Sequence, residues 1–284
     1  MVYTTSVTNR PVTYTDYTIP TSDNHSLGAT VITKTIAEEN HHGSEIMVIC
    51  HGLLNSRYSR VVRSLGVSLP YNACIFDFRG NGNSTGSTRY GNIMEEMEDL
   101  RFVIEYLRNT LKFTVKVILG HSKGAAVAFQ YMAKYNDVPY LVDVAGRFDM
   151  SQSPMLRFTE EQTQLLKTKG EFEWLKYGLD QNRSYIIRQR DLDERDRIDM
   201  SVVRNIDFNR VQVLLVHGDQ DEVVPVTEAQ RYYDTMAESE TLHHQPSPKL
   251  TMEILPKATH SFIENHERDI LVETVRKWLA ERLG

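Results

Sequence analysis

The five residues 120–124 read GHSKG, and Ser122 lies at their centre. An apolar run, 114–119, comes directly before them and a helical pattern directly after, which is the strand–turn–helix context of a G-x-S-x-G nucleophile elbow. Glycine allows the tight turn that such an elbow needs. The pattern therefore predicts that Ser122 is a nucleophile displayed at the end of a strand, in preference to a glycine-rich structural turn.

A serine hydroxyl needs an adjacent base, and the base needs an acid that orients it. Where this elbow occurs, the acid and a histidine follow it in that order along the chain. Asp219, Asp221 and Glu222 follow the apolar run 211–216 and compete as the acid. His260 follows the last predicted strand and precedes the final helix, a position that favours it as the base.

The tetrahedral intermediate of acyl transfer needs backbone N–H donors that stabilise its oxyanion. The residue after the nucleophile supplies one donor, here the amide of Lys123. A loop after an earlier strand supplies the second, and the sequence CHGLL at 50–54 fits, with the amide of Leu53 as donor. Both roles belong to the main chain, so the two side chains need not react.

These residues must be positioned by a sheet. Strands are predicted from eight runs, several of them continuous and rich in Val and Ile: 12–19, 28–35, 45–50, 73–78, 114–119, 140–145, 211–216 and 249–255. Helical patterns lie between them; in 93–111, for example, apolar residues recur at spacings of three and four. Strands that alternate with helices predict an α/β fold with a mostly parallel eight-stranded sheet and helices on both faces.

The segment 147–206 interrupts this alternation, because it holds no strong buried strand and mixes aromatic residues with many charges. We interpret it as an inserted helical cap, with 1–146 and 207–284 as the core. Inserts in such sheets usually lie over the carboxyl ends of the strands, where ligands bind. Phe148, Trp174 and Tyr177 of the cap are the candidate substrate-binding residues.

Composition excludes some functions. The chain has 284 residues and a formal net charge of −6, without the basic surface that nucleic-acid binding needs. Its two cysteines cannot form a disulfide framework. No apolar stretch is long enough for a membrane span and no secretory signal is visible, so we expect a cytoplasmic protein. We predict no metal site and no cofactor, since the histidine pairs lack the spacing of helical metal ligands.

Several longer motifs together resemble a known family. They are HGLLNS at 51–56, FDFRGNGNSTG at 76–86, GHSKGA at 120–125, YNDVPYLVDVAGRFD at 135–149, HGDQDEVVP at 217–225 and ATHSF at 258–262. From about residue 20 to 280 the chain resembles α/β hydrolases of the serine-aminopeptidase-like branch. This branch includes cinnamoyl (feruloyl) ester hydrolases and monoacylglycerol-lipase-like enzymes. The combination of GHSKG with GRFD is similar to a set of plant and fungal cytosolic hydrolases.

The resemblance implies an α/β-hydrolase fold and a serine carboxylic-ester hydrolase. The family pattern H-G-x-x-D-x-x-V-P places the acid at Asp221, which leaves Asp219 as a turn residue. The expected reaction is two-step acyl transfer by Ser122, Asp221 and His260 on a small-molecule ester with a small or aromatic acyl group.

Other functions stay open at this stage. Thioesterase, monoacylglycerol-lipase-like and aminopeptidase activities are alternatives on the same residues. An aminopeptidase needs an acid for the substrate ammonium, and Glu171 and Glu173 are candidates that ordinary surface charge also explains. A non-catalytic small-molecule-binding protein on this fold is the alternative from another class. A homodimer is an oligomeric state that the sequence leaves open.

Overall fold

The computed structural model describes residues 2–7, 10–34, 44–151, 158–177, 183–239, 241–242 and 248–283. Within these ranges nine strands form one sheet and two form a smaller one. The strands are β1 (Val2–Val7), β2 (Arg10–Pro20), β3 (Ser26–Lys34), β4 (Glu45–Cys50), β5 (Asn72–Phe76), β6 (Thr114–His121), β7 (Tyr140–Val144), β8 (Glu171–Tyr177), β9 (Arg183–Arg188), β10 (Gln212–Gly218) and β11 (Leu250–Leu255).

The large sheet has the order β1-β2-β3-β5-β4-β6-β7-β10-β11. Strands β1, β2, β3 and β5 pair antiparallel, and every pair from β5 to β11 is parallel. The α/β fold and the mostly parallel sheet are therefore confirmed. All eight predicted strands lie in this sheet, and β1 adds a ninth at its edge. Its sequence, VYTTSV, has no continuous apolar run that would have marked it.

Seven α-helices connect or follow these strands in the described residues. They are α1 (Arg60–Ser68), α2 (Ile93–Asn109), α3 (Lys123–Tyr135), α4 (Glu160–Lys169), α5 (Gln189–Asp196), α6 (Thr227–Ala237) and α7 (Asn265–Leu283), with a 3₁₀ helix at Met200–Asn205. Helix α2 shows why they form: its apolar residues recur on one buried face. Glu95 and Glu96 lie in its first turn and Arg108 in its last, which suits the helix dipole.

Helices cover both faces of the large sheet, as predicted. Side chains alternate along β4, so that Ile46 and Val48 belong to one apolar cluster while Met47 and Ile49 belong to the other. The first cluster includes residues of α2, α3 and α6, and the second includes residues of α1 and α7. The interior parallel strands are thus buried on both sides, which explains their continuous apolar runs.

The segment between β7 and β10 differs from the expected helical cap. It contains α4 and α5, but also the antiparallel pair β8–β9. Strand β8 reads EFEWLKY, in which Phe172 is buried while Glu171 and Glu173 are exposed. This alternation is typical of a half-buried strand, and the charges that suggested a helix lie on its outer face.

The insert has a small apolar core of its own. Phe158, Leu166, Phe172, Tyr185 and Ile187 form it together with Tyr90 of the main body.

The end of the predicted cap, however, packs elsewhere. Met200, Val203 and Ile206 belong to the apolar core beneath the large sheet, next to α3. The apolar core of the insert therefore ends before the 3₁₀ helix, and residues 200–206 pack as part of the main body.

The described part of the chain contains no helix of the length and apolarity that a bilayer crossing requires. Nor does this part contain a cluster of three or more His, Cys, Asp or Glu residues that could hold a metal ion.

Candidate active site

Ser122 lies in a strained turn between β6 and α3, with φ 56° and ψ −119°. A Cβ on Gly120 would lie 2.4 Å from the Cα of Ala125, and one on Gly124 would lie 2.5 Å from the carbonyl oxygen of His51. Only glycine fits at either position. The two glycines thus let the turn pack closely enough to display Ser122 at the end of its strand.

His260 and Asp221 meet Ser122 at this turn. His260 Nε2 lies 3.0 Å from Ser122 Oγ, and His260 Nδ1 lies 2.8 Å from Asp221 Oδ2. An ionised carboxylate only accepts hydrogen bonds, so Nδ1 carries the proton and Nε2 is free to accept from the serine hydroxyl. A hydroxyl, an imidazole and a carboxylate in this order form the arrangement that activates a serine nucleophile.

Asp221 is held in its ionised form. Its Oδ1 accepts hydrogen bonds from the amides of Val223 and Val224 at 2.8 and 2.7 Å. Burial of the carboxyl opposes ionisation, but hydrogen bonds from His217 and His260 outweigh it and keep the pKa of Asp221 well below its usual range.

The two competing acids lie apart from His260. Asp219 Oδ1 accepts from the amide of Lys257 at 2.6 Å, so this exposed residue braces a turn, as its assignment as a turn residue predicted. Glu222 is exposed. Of the three acids, Asp221 is the one that the structure brings to His260.

A second histidine supports Asp221 from behind. His217 Nε2 lies 2.8 Å from the carbonyl oxygen of Val224 and 3.2 Å from Asp221 Oδ2. Because the carbonyl only accepts, Nε2 is the protonated nitrogen. Burial lowers the pKa of His217, but its contacts with Asp221 and Val224 outweigh this and raise it. Asp221 therefore lies between two histidines, and only His260 reaches Ser122.

A buried carboxyl lies deeper still. Asp143 on β7 accepts from the amide of Gly146 at 2.8 Å through Oδ1, while its Oδ2 has no hydrogen-bond partner among the described residues. Burial raises the pKa of Asp143 to about 7, and the charge of His217 opposes the rise. This carboxyl therefore holds a proton over much of the pH range in which Asp221 is ionised.

His121 fixes the main chain of His260. Its Nε2 donates to the carbonyl oxygen of His260 at 2.9 Å. Burial, with a further contribution from His260, lowers the pKa of His121 to about 4, so the ring stays neutral. A neutral ring can hold this loop without placing a second positive charge beside His260.

His51 fixes the peptide that precedes Leu53. The amide of Phe78 donates to His51 Nε2 at 3.0 Å, so Nδ1 carries the proton and donates to the carbonyl oxygen of Gly52 at 2.8 Å. Burial lowers the pKa of His51 to about 4. Because a trans peptide points its N–H opposite to its C=O, the amide of Leu53 points away from the His51 ring.

Sequence reasoning missed the roles of these three histidines. Each of the three begins or lies inside a motif quoted above. His51 follows β4, His121 ends β6, and His217 is the penultimate residue of β10. Their position at strand ends was the available signal. Their hydrogen-bond partners could not be inferred from the sequence, since His121, for example, contacts a residue 139 positions away.

The Lys123 side chain ties the elbow to the start of α2. Its Nζ lies 2.8 Å from Glu96 Oε1 and 2.6 Å from Asn92 Oδ1. Burial raises the pKa of Glu96 to about 7, while the Lys123 ammonium opposes this rise. The side chain is thus a structural anchor, and the amide of Lys123 lies in the first turn of α3, whose N–H groups have no partner within the helix.

A cavity of about 560 Å³ opens above Ser122 and His260. Loop residues Leu53 and Leu54 line one side, and β8 of the insert lines another. This volume suits a small organic ligand.

Two of the three predicted substrate-binding residues line this cavity, namely Trp174 and Tyr177. Trp174 packs edge-on against Tyr90, with ring centroids 6.0 Å apart. Phe148 is not among the described residues that line it. Its ring packs against Tyr232 of α6 at 5.1 Å, because the turn after β7 directs it toward the helix layer.

The family model described as serine aminopeptidase, S33, matches residues 41–206, more than half of the chain. The chain belongs to this family of α/β hydrolases. The match includes Ser122 and ends before Asp221 and His260, so these two residues rest on the geometry above.

Curated relatives of the hydrolase are distant. It is 27% identical over 197 residues to the uncharacterized protein YqkD of Bacillus subtilis, a match that spans 68% of the chain but only 61% of that relative. It is 22% identical over 260 residues to a monoacylglycerol lipase of Mycolicibacterium smegmatis, covering 84% of the chain and 89% of the relative.

Solved structures share its fold. Est1E of Butyrivibrio proteoclasticus, in a structure with bound ferulic acid, superposes with a TM-score of 0.72 at 17% identity, covering 94% of this chain and 99% of that one. The Pyrococcus furiosus esterase Pf2001 superposes with a TM-score of 0.67 at 20% identity, covering 95% and 91%. At these identities the likeness describes the fold alone.

Proposed function

We propose that this hydrolase is a serine esterase that cleaves carboxylic esters through an acyl-enzyme intermediate. The observation that carries the proposal is the 3.0 Å contact between His260 Nε2 and Ser122 Oγ, with Asp221 2.8 Å from Nδ1, at the floor of a cavity. His260 accepts the proton of Ser122 as the oxygen attacks the ester carbonyl. Asp221 keeps the proton on Nδ1 and stabilises the charged imidazole.

In this proposal two backbone amides stabilise the oxyanion. The carbonyl of Ser122 accepts from the amide of Ala125 at 3.0 Å, so the other end of that peptide, the amide of Lys123, points out of the helix toward the cavity. The amide of Leu53 points away from the His51 ring on the loop that lines the opposite side. His260 then protonates the leaving alcohol and activates water for deacylation.

The insert completes the substrate site in this proposal. Residues 147–199 act as the cap, and Trp174 and Tyr177 supply aromatic surface above the serine. Such surface favours a small or aromatic acyl group over a long alkyl chain. The ferulic acid bound to Est1E, a protein of the same fold, agrees with an aromatic acyl group.

Aminopeptidase activity is less well supported. It needs a carboxylate for the substrate ammonium, yet none of the described residues that line the cavity is Asp or Glu. Glu171 and Glu173 lie on the outer face of β8, where they pair with Arg188 and Lys176.

A monoacylglycerol-lipase-like activity is the second candidate, because a relative with that name covers most of the chain. It predicts a preference for longer acyl chains. The large exposed apolar side chains of the described residues are Tyr58, Met94, Ile254 and Ile263, and all four lie outside the insert. The described residues of the insert therefore offer no large exposed apolar side chain to a lipid.

The proposal is tested with a fluorophosphonate probe and p-nitrophenyl esters of acetate, hexanoate, dodecanoate and an aromatic acid. We expect labelling and turnover in the wild type, with the short and aromatic esters preferred. Ser122→Ala should abolish labelling and lower kcat by about 10⁴-fold or more. Ser68→Ala, at the exposed end of α1, is the matched control and should label like the wild type.

Two results would contradict the proposal. A wild-type protein that neither labels nor turns over any ester, but binds them, would be a binding protein on this fold. Labelling that survives in Ser122→Ala would place the nucleophile elsewhere.

A further inference from the structure

The positively charged side chains that line the cavity indicate which esters the hydrolase binds. This inference rests on the proposed function and narrows its substrate class. Lys123, Arg147, Lys176 and Arg195 all line the cavity, and no carboxylate lies among its described lining residues. A ligand that enters it meets positive charge above Ser122.

Arg147 differs from the other three cations. Lys123 pairs with Glu96 and Lys176 with Glu173, and Arg195 lies 3.9 Å from Asp196. Arg147 pairs with no carboxylate in the part of the chain that the structure describes. One of its five N–H donors is used, since Nη2 donates to the carbonyl oxygen of Val223 at 2.6 Å.

Asp149, two residues after Arg147, and Glu228 of α6 bond to groups other than the Arg147 guanidinium. Glu228 accepts from the amides of Phe148 and Asp149 at 2.9 and 2.6 Å. Arg231 pairs with both Asp149 and Glu228, at 2.9 and 3.3 Å. Arg231 is therefore the cation that pairs with both carboxylates on the α6 side, and neither of them pairs with Arg147.

Such an arginine is unusual for a structural residue of this chain. Arg57 and Arg79, both buried, each pair with a carboxylate, Asp77 and Asp99 respectively. A half-buried guanidinium at a ligand cavity without such a partner is suited to bind an anion, because its planar fork matches a carboxylate through two hydrogen bonds.

We propose that Arg147 is a substrate-binding residue for esters that carry a carboxylate group in addition to the scissile ester. Val223, which Arg147 contacts, follows the Asp221 turn by two residues and also lines the cavity. The guanidinium is thus held at the turn that carries Asp221, in the same cavity as Ser122 and His260, so the proposed substrate places its carboxylate at Arg147 and its ester at Ser122.

The test compares matched ester pairs on the full chain. On the acyl side, p-nitrophenyl hydrogen adipate is compared with p-nitrophenyl hexanoate, which has the same chain length and leaving group. On the alcohol side, 4-carboxyphenyl hexanoate is compared with 4-carbamoylphenyl hexanoate. We expect kcat/KM for the anionic member to exceed that for the neutral member by about tenfold or more in one pair, which identifies the side that carries the carboxylate.

Variants of Arg147 separate binding from structure. Arg147→Met should lower the ratio of anionic to neutral kcat/KM by about tenfold, and Arg147→Lys should restore part of it because charge returns without the fork. Arg210→Met removes an exposed positive charge and should leave the ratio unchanged. A residue that only braced the Val223 loop would lower kcat for both esters and leave their ratio constant.

A binding measurement keeps the inference separate from the proposed chemistry. In Ser122→Ala, quenching of the fluorescence of Trp174 reports binding of each ester, and Arg147→Met in this background should weaken the anionic ester selectively. Equal kcat/KM within both wild-type pairs, or a ratio that Arg147→Met does not change, would overturn the inference and leave the esterase proposal intact. Selective binding without any turnover would uphold the inference while the esterase proposal fails.

Discussion

The floor of the cavity and its wall are built in different ways. The floor, which is Ser122, Asp221 and His260, is held by hydrogen bonds of two buried histidines, His121 to the carbonyl oxygen of His260 and His217 to Asp221. The wall, which is Trp174 and Tyr177 on β8, is held by edge-on aromatic contacts and a 3.4 Å hydrogen bond from Tyr177 to Gly80.

The difference follows from what each part must do. Proton transfer requires donor and acceptor within about 0.3 Å of the hydrogen-bond distance, so every floor residue needs a directional support. Aromatic contacts are broad in angle and tolerate adjustment. A substitution in the floor should therefore change the rate of the chemical step, whereas one in the wall should change the affinity for substrate.

Among substitutions in the floor, Asp221→Asn should have the largest effect, because it keeps the shape of the side chain but favours the wrong tautomer of His260. We expect kcat to fall by about 10⁴-fold, measured with a p-nitrophenyl ester. Asp219→Asn is the matched control, since it removes a charge two residues away and should lower kcat by less than about threefold. The reverse ranking would assign the acid to Asp219.

Asp143, the buried carboxyl on β7, should make the stability of the protein depend on pH. Unfolded Asp143 releases its proton near 3.8, whereas folded Asp143 holds it to about 7, so its contribution lowers the free energy of unfolding as pH rises between these values. Asp143→Asn mimics the protonated form. Its stability relative to the wild type should therefore rise from pH 4 to pH 8 by up to about 4 kcal/mol.

Urea unfolding at pH 4, 6 and 8 measures this difference. His217, whose pKa is also raised, adds to the wild-type decline above pH 6.5 and is present in both proteins. A stability difference that stays constant across the three values would show that Asp143 is ionised in the folded protein.

Removal of His217 should lower the rate less than Asp221→Asn, because His217 donates to Asp221 without contacting Ser122. His217→Ala should lower kcat by roughly 10- to 100-fold, the effect expected for one hydrogen bond to a charged group. The pKa of Asp221 should rise at the same time, because one of its hydrogen bonds is lost. His266→Ala, an exposed histidine, is the control. An unchanged kcat would show that His217 does not position Asp221, and a matching loss of far-ultraviolet circular dichroism would indicate lost folding in place of lost positioning.

A substitution in the wall should change the kinetic constants least. Trp174→Ala is expected to raise KM by about three- to tenfold with little change in kcat, as one aromatic contact is lost. Trp174→Phe should recover most of the affinity. A large fall in kcat with unchanged KM would show that the wall positions the reacting atoms, which would erase the distinction from the floor.

Ser122 and Asp221 could be predicted from the sequence, because they follow strands that are buried on both faces. Such strands read as continuous apolar runs, and the runs before Ser122 and before Asp221 end where the site residues begin. The order along the chain then singled out His260. The supports behind them could not be predicted, since His121 and His217 act through carbonyl groups that local patterns do not reveal.

The wall and the edge of the sheet were harder to predict. Strand β1 pairs only at the edge and needs no apolar run. Strand β8 alternates buried and charged residues, and the density of charges was interpreted as helical. Phe148 is an aromatic residue of the predicted cap, yet the direction of a side chain in a turn depends on backbone angles that the sequence does not state.

The last strand of the sheet has a consequence for heat inactivation. Strand β11 pairs only with β10, and the loop that carries His260 follows it, whereas the serine elbow lies between interior strands. Sheet edges open locally at lower free energy than interior strands. On warming, the β11 edge and its loop should therefore detach while the rest of the sheet stays folded. Fluorophosphonate reactivity should then fall several degrees before the far-ultraviolet circular dichroism changes, and it should return at once on cooling.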